Sequence, residues 1–424
     1  MEYWDISINK LRVKSKFLFM DEWKEYKLED VCTDLSDGLH KAPKFVNGGD
    51  FIFVNAKNIS NGFIVDNDPT KKSTYEEFVK YSSPLNETTV LYSIDGTIGN
   101  IALYRGEKCI LGKGACYLNP NPALLDRMYL YYELQASRFK SYIDKMSTGS
   151  TIKHISLKTM RNYEMRVPSI NIQQQIVSIL KSLDDKIEVN KRINDNLEKQ
   201  AQALFKSWFV DFEPFKDGEF VESELGMIPK GWKLKRIYEY VDVIYGAPYK
   251  SSLFNDNKEG LPLIRIRDLK TNTPQFYTPE ILPNTEYIKA GDIVAGMDAE
   301  FTPYVWQGER GVLNQRCCKF KGKYEGISNY YILFLVKPEL EYVQSYKTGT
   351  TVSHLGKSDI DRFVFLTPPL DIVLAFSEIV NPMIKEVVNR AKEARRLATL
   401  RDTLLPKLMS GEIKVNDMQL SENQ

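Results

Sequence analysis

The sequence predicts an α+β chain that is duplicated: two β-rich globular domains separated by two long helices, which pack as an antiparallel coiled coil with pseudo-two-fold symmetry. Three observations predict it. The first is a repeat. Ser147-Thr148-Gly149-Ser150-Thr151-Ile152-Lys153-His154-Ile155 returns as Lys347-Thr348-Gly349-Thr350-Thr351-Val352-Ser353-His354-Leu355, with a constant offset of 354 − 154 = 200. The second is short apolar runs punctuated by Gly, Asn, Asp and Pro on the N-terminal side of each copy, the pattern of strands and turns. The third is a 3/4 alternation of apolar positions after each copy, the pattern of a helix seam.

Residues 1–20 have no partner in the second half and read as an N-terminal extension. Residues 21–170 form the first domain. Phe51–Val54 and Thr89–Ile94 read as buried strands, and Asp95-Gly96 and Tyr104–Glu107 as turns. Met128–Tyr142 has helical composition. Residues 171–212 form the first long helix. Its seam runs Ile176, Leu180, Leu183, Ile187, Asn190, Asn194, Leu197, Ala201, Leu204, Trp208. The two asparagines in that seam lower stability and fix register and partner.

Residues 213–370 hold a linker and the second domain, in which the order of the first recurs. Trp232-Lys233-Leu234 answers Trp23-Lys24-Glu25, and Leu263–Leu269 answers Phe53–Ile59. Trp306–Leu313 answers Tyr104–Leu111. Residues 371–412 form the second helix, with Phe376, Val380, Met383, Val387, Arg390, Ala394, Leu397, Arg401, Leu404 and Leu408 on its seam. Pro382 and Pro406 are expected to trim it to about 383–405, because proline breaks the helical ladder. Residues 413–424 read as a tail. Neither seam can stay in water, and pairing the two within the chain covers both.

Composition narrows the function. An apolar fraction of 43% and a charged fraction of 27% belong to a globular protein. No run approaches the roughly 18 apolar residues of a membrane span, and the N-terminus lacks the regions of a signal peptide, so a cytoplasmic protein without membrane contact is expected. Five cysteines at uneven spacing and three histidines offer neither a disulfide framework nor zinc-ligand spacing, and no metal is expected. The phosphate loop, the dinucleotide fingerprint and the nucleophile elbow are all missing, so no catalytic residue is expected. A formal charge of +1 weakens but does not remove a nucleic-acid reading, because local field governs phosphate contact.

Candidate DNA-contacting residues fall in two groups. Thr148, Lys153, His154, Thr350 and His354 lie in the repeated loop, where hydroxyls and backbone amides suit phosphates or simply hold the fold. Features shared by both domains cannot carry distinct base information, so those that differ are the better readers. Asn55, Lys57 and Asn58 face Arg265, Arg267 and Asp268, and Gly112-Lys113-Gly114 faces Asn314, Gln315 and Arg316. Arginine suits guanine and asparagine suits adenine. Arg265 and Arg267 are expected on one face of a strand, where a solvated or acid-paired face is the plainer reading. Lys44 lies in a basic loop, Asp37–Lys44, near the start of the first domain; ordinary turn chemistry is the plainer reading there.

The helix ends carry a resemblance. Leu204–Phe215 closely resembles the central conserved region of the specificity subunits of Type I restriction-modification enzymes, and Leu400–Ile413 resembles their C-terminal conserved region. Gly260–Leu269 and Gly296–Phe301 are similar to elements of their target-recognition domains. The resemblance implies two target-recognition domains on double-stranded DNA, each reading half of a bipartite site, with the helix pair setting the spacer. It implies two modification subunits and two restriction subunits as partners. These would carry S-adenosylmethionine, ATP and Mg, leaving no cofactor on this chain. Trp208, Phe209, Leu404 and Leu408 are then candidate docking residues for those partners. Because the domains differ at the variable positions, the half-sites are expected to differ. A coiled-coil scaffold that assembles proteins without touching DNA is the alternative.

Overall fold

The computed structural model describes residues 23–67, 71–147, 154–347 and 353–415. The 1–20 extension lies outside them. The chain forms two compact units, one of residues 1–184 with 399–424 and one of residues 185–398. The division cuts both long helices. The reason is packing. Ile176 and Leu180 from the first helix and Leu405, Leu408 and Met409 from the second share one apolar core with Leu28, Val31, Tyr129 and Phe139. Ala201, Phe209, Phe376 and Val380 share the core of the other unit with Tyr331, Phe334 and Phe320. Fully burying such a side chain stabilises by about 1.5–3 kcal/mol. Ile413 and Val415 also lie in or against the first core.

Each unit's head is built the same way. In the first, a four-stranded antiparallel sheet runs in the order 32–37, 115–120, 90–93, 101–103. In the second the order is 241–245, 317–322, 293–296, 303–305. A second sheet in each head contains one parallel pair, Phe51–Val54 with Cys109–Leu111 and Leu261–Ile264 with Gly311–Leu313. A short antiparallel pair closes each head at its base. Lys24 faces Val167 in the first and Lys233 faces Thr367 in the second. The expected helical stretch at 128–142 is two helices, Arg127–Glu133 and Ser137–Met146. The first is capped by Asp126, whose side chain accepts the N–H groups of Met128 and Tyr129.

The tryptophan at the start of each head meets the end of a long helix. Trp232 is buried against Phe209, Phe212 and Phe215. Trp23 packs on Gly411, where a Cβ would lie 3.0 Å from the indole. Gly411 also has a φ of +74°, a conformation that favours glycine.

The first long helix is Ile170–Phe209, 40 residues or roughly 60 Å at about 1.5 Å per residue. The second is Leu370–Ser410. Within the second unit the two run antiparallel. Asn190 donates to Glu393 at 2.9 Å and accepts from Arg390, while Asn194 donates to the Val387 carbonyl at 3.0 Å. Partners therefore fall from 393 to 387 as the first helix rises from 190 to 194. Within the first unit Arg401 pairs with Asp184 at 2.7 Å. Both seam asparagines are buried, and their bonds fix register as the sequence predicts.

The prolines do not trim the second helix, contrary to expectation. Pro382 sits between the buried Val380 and Ile384, and Pro406 between the buried Leu405 and Leu408. Burial of those four side chains, at about 1.5–3 kcal/mol each, outweighs an interruption that costs about 3 kcal/mol.

Pro382 is exposed and contributes little packing of its own. Its replacement, Pro382→Ala, should therefore stabilise the chain by about 2–2.5 kcal/mol, the propensity gain of about 3 kcal/mol less the roughly 0.4–1 kcal/mol of entropy that proline removes from the unfolded chain. Denaturant melts of the two proteins test this, and a lower midpoint for the variant would refute it.

Candidate nucleic-acid interface

Five loops of each head are tied together at one end by matching backbone hydrogen bonds. In the first head Leu39 N–H donates to Leu111 O at 2.7 Å and Lys113 N–H to Leu39 O at 3.0 Å. In the second, Ala247 donates to Leu313 at 2.9 Å and Gln315 to Ala247 at 3.0 Å. Gly112 bonds Val54 where Asn314 bonds Ile264, and Ile94 bonds Gly114 where Met297 bonds Arg316. Ile155 then donates to Ile94 and Leu355 to Met297. The frame needs glycine at one position in each head. A Cβ on Gly38 would lie 2.2 Å from the Leu111 carbonyl carbon, and one on Gly246 would lie 2.1 Å from the Asn314 oxygen.

The frame also sets the two histidines. His354 Nδ1 lies 2.6 Å from Asp298 Oδ1, and His154 Nδ1 lies 3.9 Å from Asp95 Oδ1. Each pair is also an isolated β-bridge. The Asp–His pairs thus fasten the chain just after the repeated loop. Thr148, Lys153 and Thr350 lie outside the described residues.

Contrary to the sequence expectation, Arg265 and Arg267 do not lie on a strand. The strand ends at Ile264, and Ile266–Leu269 forms one helical turn. The turn wins because the Asp268 carboxylate accepts the Arg265 backbone N–H at 3.0 Å. The first head repeats it, with the Asn58 side chain accepting the Asn55 N–H at 3.1 Å. Asn58 and Asp268 are buried and serve the turn, so Asn58 is not placed to read a base. Burial raises the Asp268 carboxyl above its usual range, although the Arg265 amide and guanidinium oppose the shift. Arg265 is held over the Phe276 ring at 4.4 Å and donates to Gln275. Asn55 is half-buried, while Lys57 and Arg267 are exposed on the outside of the two turns.

Asn314 is likewise buried, its Oδ1 accepting the Arg316 N–H at 3.1 Å. Gln315 and Arg316 are exposed beside it. Lys44 is exposed but tied by its backbone to Glu77 and Ser73, outside the five-loop frame. Lys113, the counterpart of Gln315, is exposed on the frame of the first head, and sequence reasoning missed the two orienting acids Asp95 and Asp298. The acids carried a signal: each follows a strand of the four-stranded sheet at matching positions, 298 − 95 = 203.

The candidate docking residues belong to the cores. Leu408 is fully buried, and Phe209 is buried against Tyr331, Phe376 and Trp232. Trp208 packs edge-on to Phe376 and Phe215, and Leu404 lies against the core of the first unit. Apolar side chains spent on internal packing leave little surface for another protein. Burial also pushes the Cys317 thiol well above its ordinary range, so it is a packing group rather than a nucleophile. Among the described residues no three His, Cys, Asp or Glu side chains stand together as a metal site, and no helix is long and apolar enough to cross a membrane.

The family described as "Type I restriction modification DNA specificity domain" matches twice, over residues 20–199 and 229–393, one match for each head. The chain belongs to this family. It is 28% identical to the Type I restriction enzyme MjaIX specificity subunit of Methanocaldococcus jannaschii, over 94% of this chain and 95% of that one. It is 24% identical to the HindI specificity subunit of Haemophilus influenzae, over 93% and 100%. A crystal structure of a Type I restriction-modification S subunit from M. genitalium superposes with a TM-score of 0.51 at 16% identity, over 92% and 96%, and shows the same fold. This specificity protein recognises DNA within a restriction-modification complex and is not its catalytic component. The scaffold alternative is not favoured.

The frame glycines supply a test. Gly38→Ala should loosen the first unit and Gly246→Ala the second, each by about 1–3 kcal/mol, the range of overpacking. Hydrogen exchange resolved by unit reads it. Equal loss of protection in both units from either change would overturn the assignment.

Proposed function

We propose that this chain reads a bipartite, asymmetric DNA site, one half with each head, and that the helix pair sets the number of unread base pairs between them. One observation carries the reading: two heads share a backbone frame and differ in the exposed side chains mounted on it. Lys57 stands where the other head has Arg267, Lys113 where it has Gln315, and Gly114 where it has Arg316. A common frame positions both heads on a duplex in the same way, and different side chains read different bases. The first long helix contributes Ile176 and Leu180 to one core and Ala201 and Phe209 to the other, so its length is a structural quantity and not a loose linker.

Two modification subunits and two restriction subunits complete the complex, carrying S-adenosylmethionine, ATP and Mg. The near-zero charge of this chain fits that division, with partners supplying part of the phosphate clamp.

Methylome mapping with and without this chain tests the reading. One bipartite adenine-methylation motif with unlike halves should vanish when the chain is removed. An unchanged methylome, or a palindromic motif, would refute it. The ruler has its own test. One heptad inserted into each long helix, after Asn194 and after Glu386, keeps the seam in phase and adds about 10 Å. Both half-sites should persist with a spacer longer by about three base pairs at 3.4 Å each. Altered half-sites would sink the ruler.

A further inference from the structure

We propose that Arg316 is a specificity-determining residue that reads a guanine in the half-site of the second head, with Asp298 as its positioning residue. The proposal rests on the bipartite reading above and adds a base to it.

The geometry of Arg316 differs from that of an ordinary surface arginine. Its backbone is locked on both sides, the N–H by Asn314 Oδ1 at 3.1 Å and the carbonyl by Met297 N–H at 2.8 Å. Its Nη1 lies 3.1 Å from Asp298 Oδ2, and Asp298 is held from its other oxygen by His354 at 2.6 Å. The side chain is nevertheless 57% exposed. An arginine anchored through one nitrogen keeps its remaining N–H groups for a ligand, with little rotamer freedom left to lose.

The carboxylate decides what that ligand is. Asp298 offsets the guanidinium charge and repels a phosphate, so the site is a poor phosphate clamp. Guanine O6 and N7 are neutral acceptors that a planar, oriented guanidinium pairs bidentately. A carboxylate buttress costs nothing there, because it fixes the fork without competing for the base.

The first head supplies the contrast. It keeps the acid and the histidine, Asp95 and His154, but has Gly114 where the second has Arg316. The Asp–His pair is therefore the shared frame, and the arginine is the addition. Gly114 tolerates a side chain, since a Cβ there meets Ala56 N at 3.5 Å and Asp95 Cβ at 3.6 Å, ordinary contacts.

The test uses the assembled complex and its mapped motif. In Arg316→Ala one guanine position of one half-site should become degenerate while the other half-site and the spacer persist, and affinity for the wild-type site should fall about 5- to 150-fold. Arg316→Lys, which keeps the charge and a donor but not the planar fork, should retain part of the guanine preference that Arg316→Ala loses. If Arg316→Ala keeps every motif position and only weakens binding uniformly across sequences, the residue is a phosphate contact and the proposal fails. The unmutated complex, offered duplexes with 7-deazaguanine at single positions, should lose affinity at one guanine in that half-site, and this loss should disappear in Arg316→Ala. No sensitive guanine, or equal sensitivity in the variant, overturns the proposal while the bipartite motif itself still stands. Absence of any motif dependent on this chain overturns the bipartite reading instead.

Discussion

Each head closes where two loops touch backbone to backbone at a glycine. At Gly38 the approach to Leu111, and at Gly246 the approach to Asn314, leave no room for a Cβ. That contact lets the Leu39 and Ala247 amides reach their carbonyls. The parallel strand pairs, extended by the Gly112 and Asn314 amides bonding Val54 and Ile264, set the turns at 55–58 and 265–268 beside those at 112–114 and 314–316, and the glycine contact adds the 38–39 and 246–247 loops to the same end. Without that pairing Lys57 and Lys113 in the first head, and Arg267 and Arg316 in the second, would belong to separate loops.

Polar groups in this chain act mainly by holding other groups. Asn58 and Asp268 accept backbone amides and close helical turns; Asp298 holds a histidine and an arginine; Asn190 and Asn194 pin helix register. All are partly or wholly removed from water, where an unmade hydrogen bond costs about 1–3 kcal/mol. They therefore specify geometry more than they add stability. The exposed cations mounted on this frame have the opposite character: each alone is worth little to folding, and their value lies in what they meet.

The helix pair shows a similar economy. Its apolar side chains are shared between seam and heads, so each long helix is part of two cores. This explains why Phe209 and Leu408, in the most recognisable stretches of the sequence, are buried, and why Trp208 and Leu404 pack against the cores. A motif can be recurrent because it joins a helix to a domain, and not because it meets a partner.

Sequence alone determined the duplication, the fold class and the seam with its two asparagines, because these rest on periodicity and spacing along the chain; the family was legible only through the resemblance carried by Leu204–Phe215 and Leu400–Ile413. The constant offset of 200 was legible, and so were the strands at 51–54 and 90–93. Only the tertiary structure decided which side chains face out. Arg265 and Arg267 looked like alternating strand residues until the Asp268 carboxylate turned the backbone, and Asn58 and Asn314 looked like base readers until burial assigned them to turns. Pro382 and Pro406 looked like helix ends until the packing of their neighbours outweighed them. In each case the deciding partner is a hydrogen bond across a turn or a side chain distant in sequence, and neither leaves a mark on local propensity.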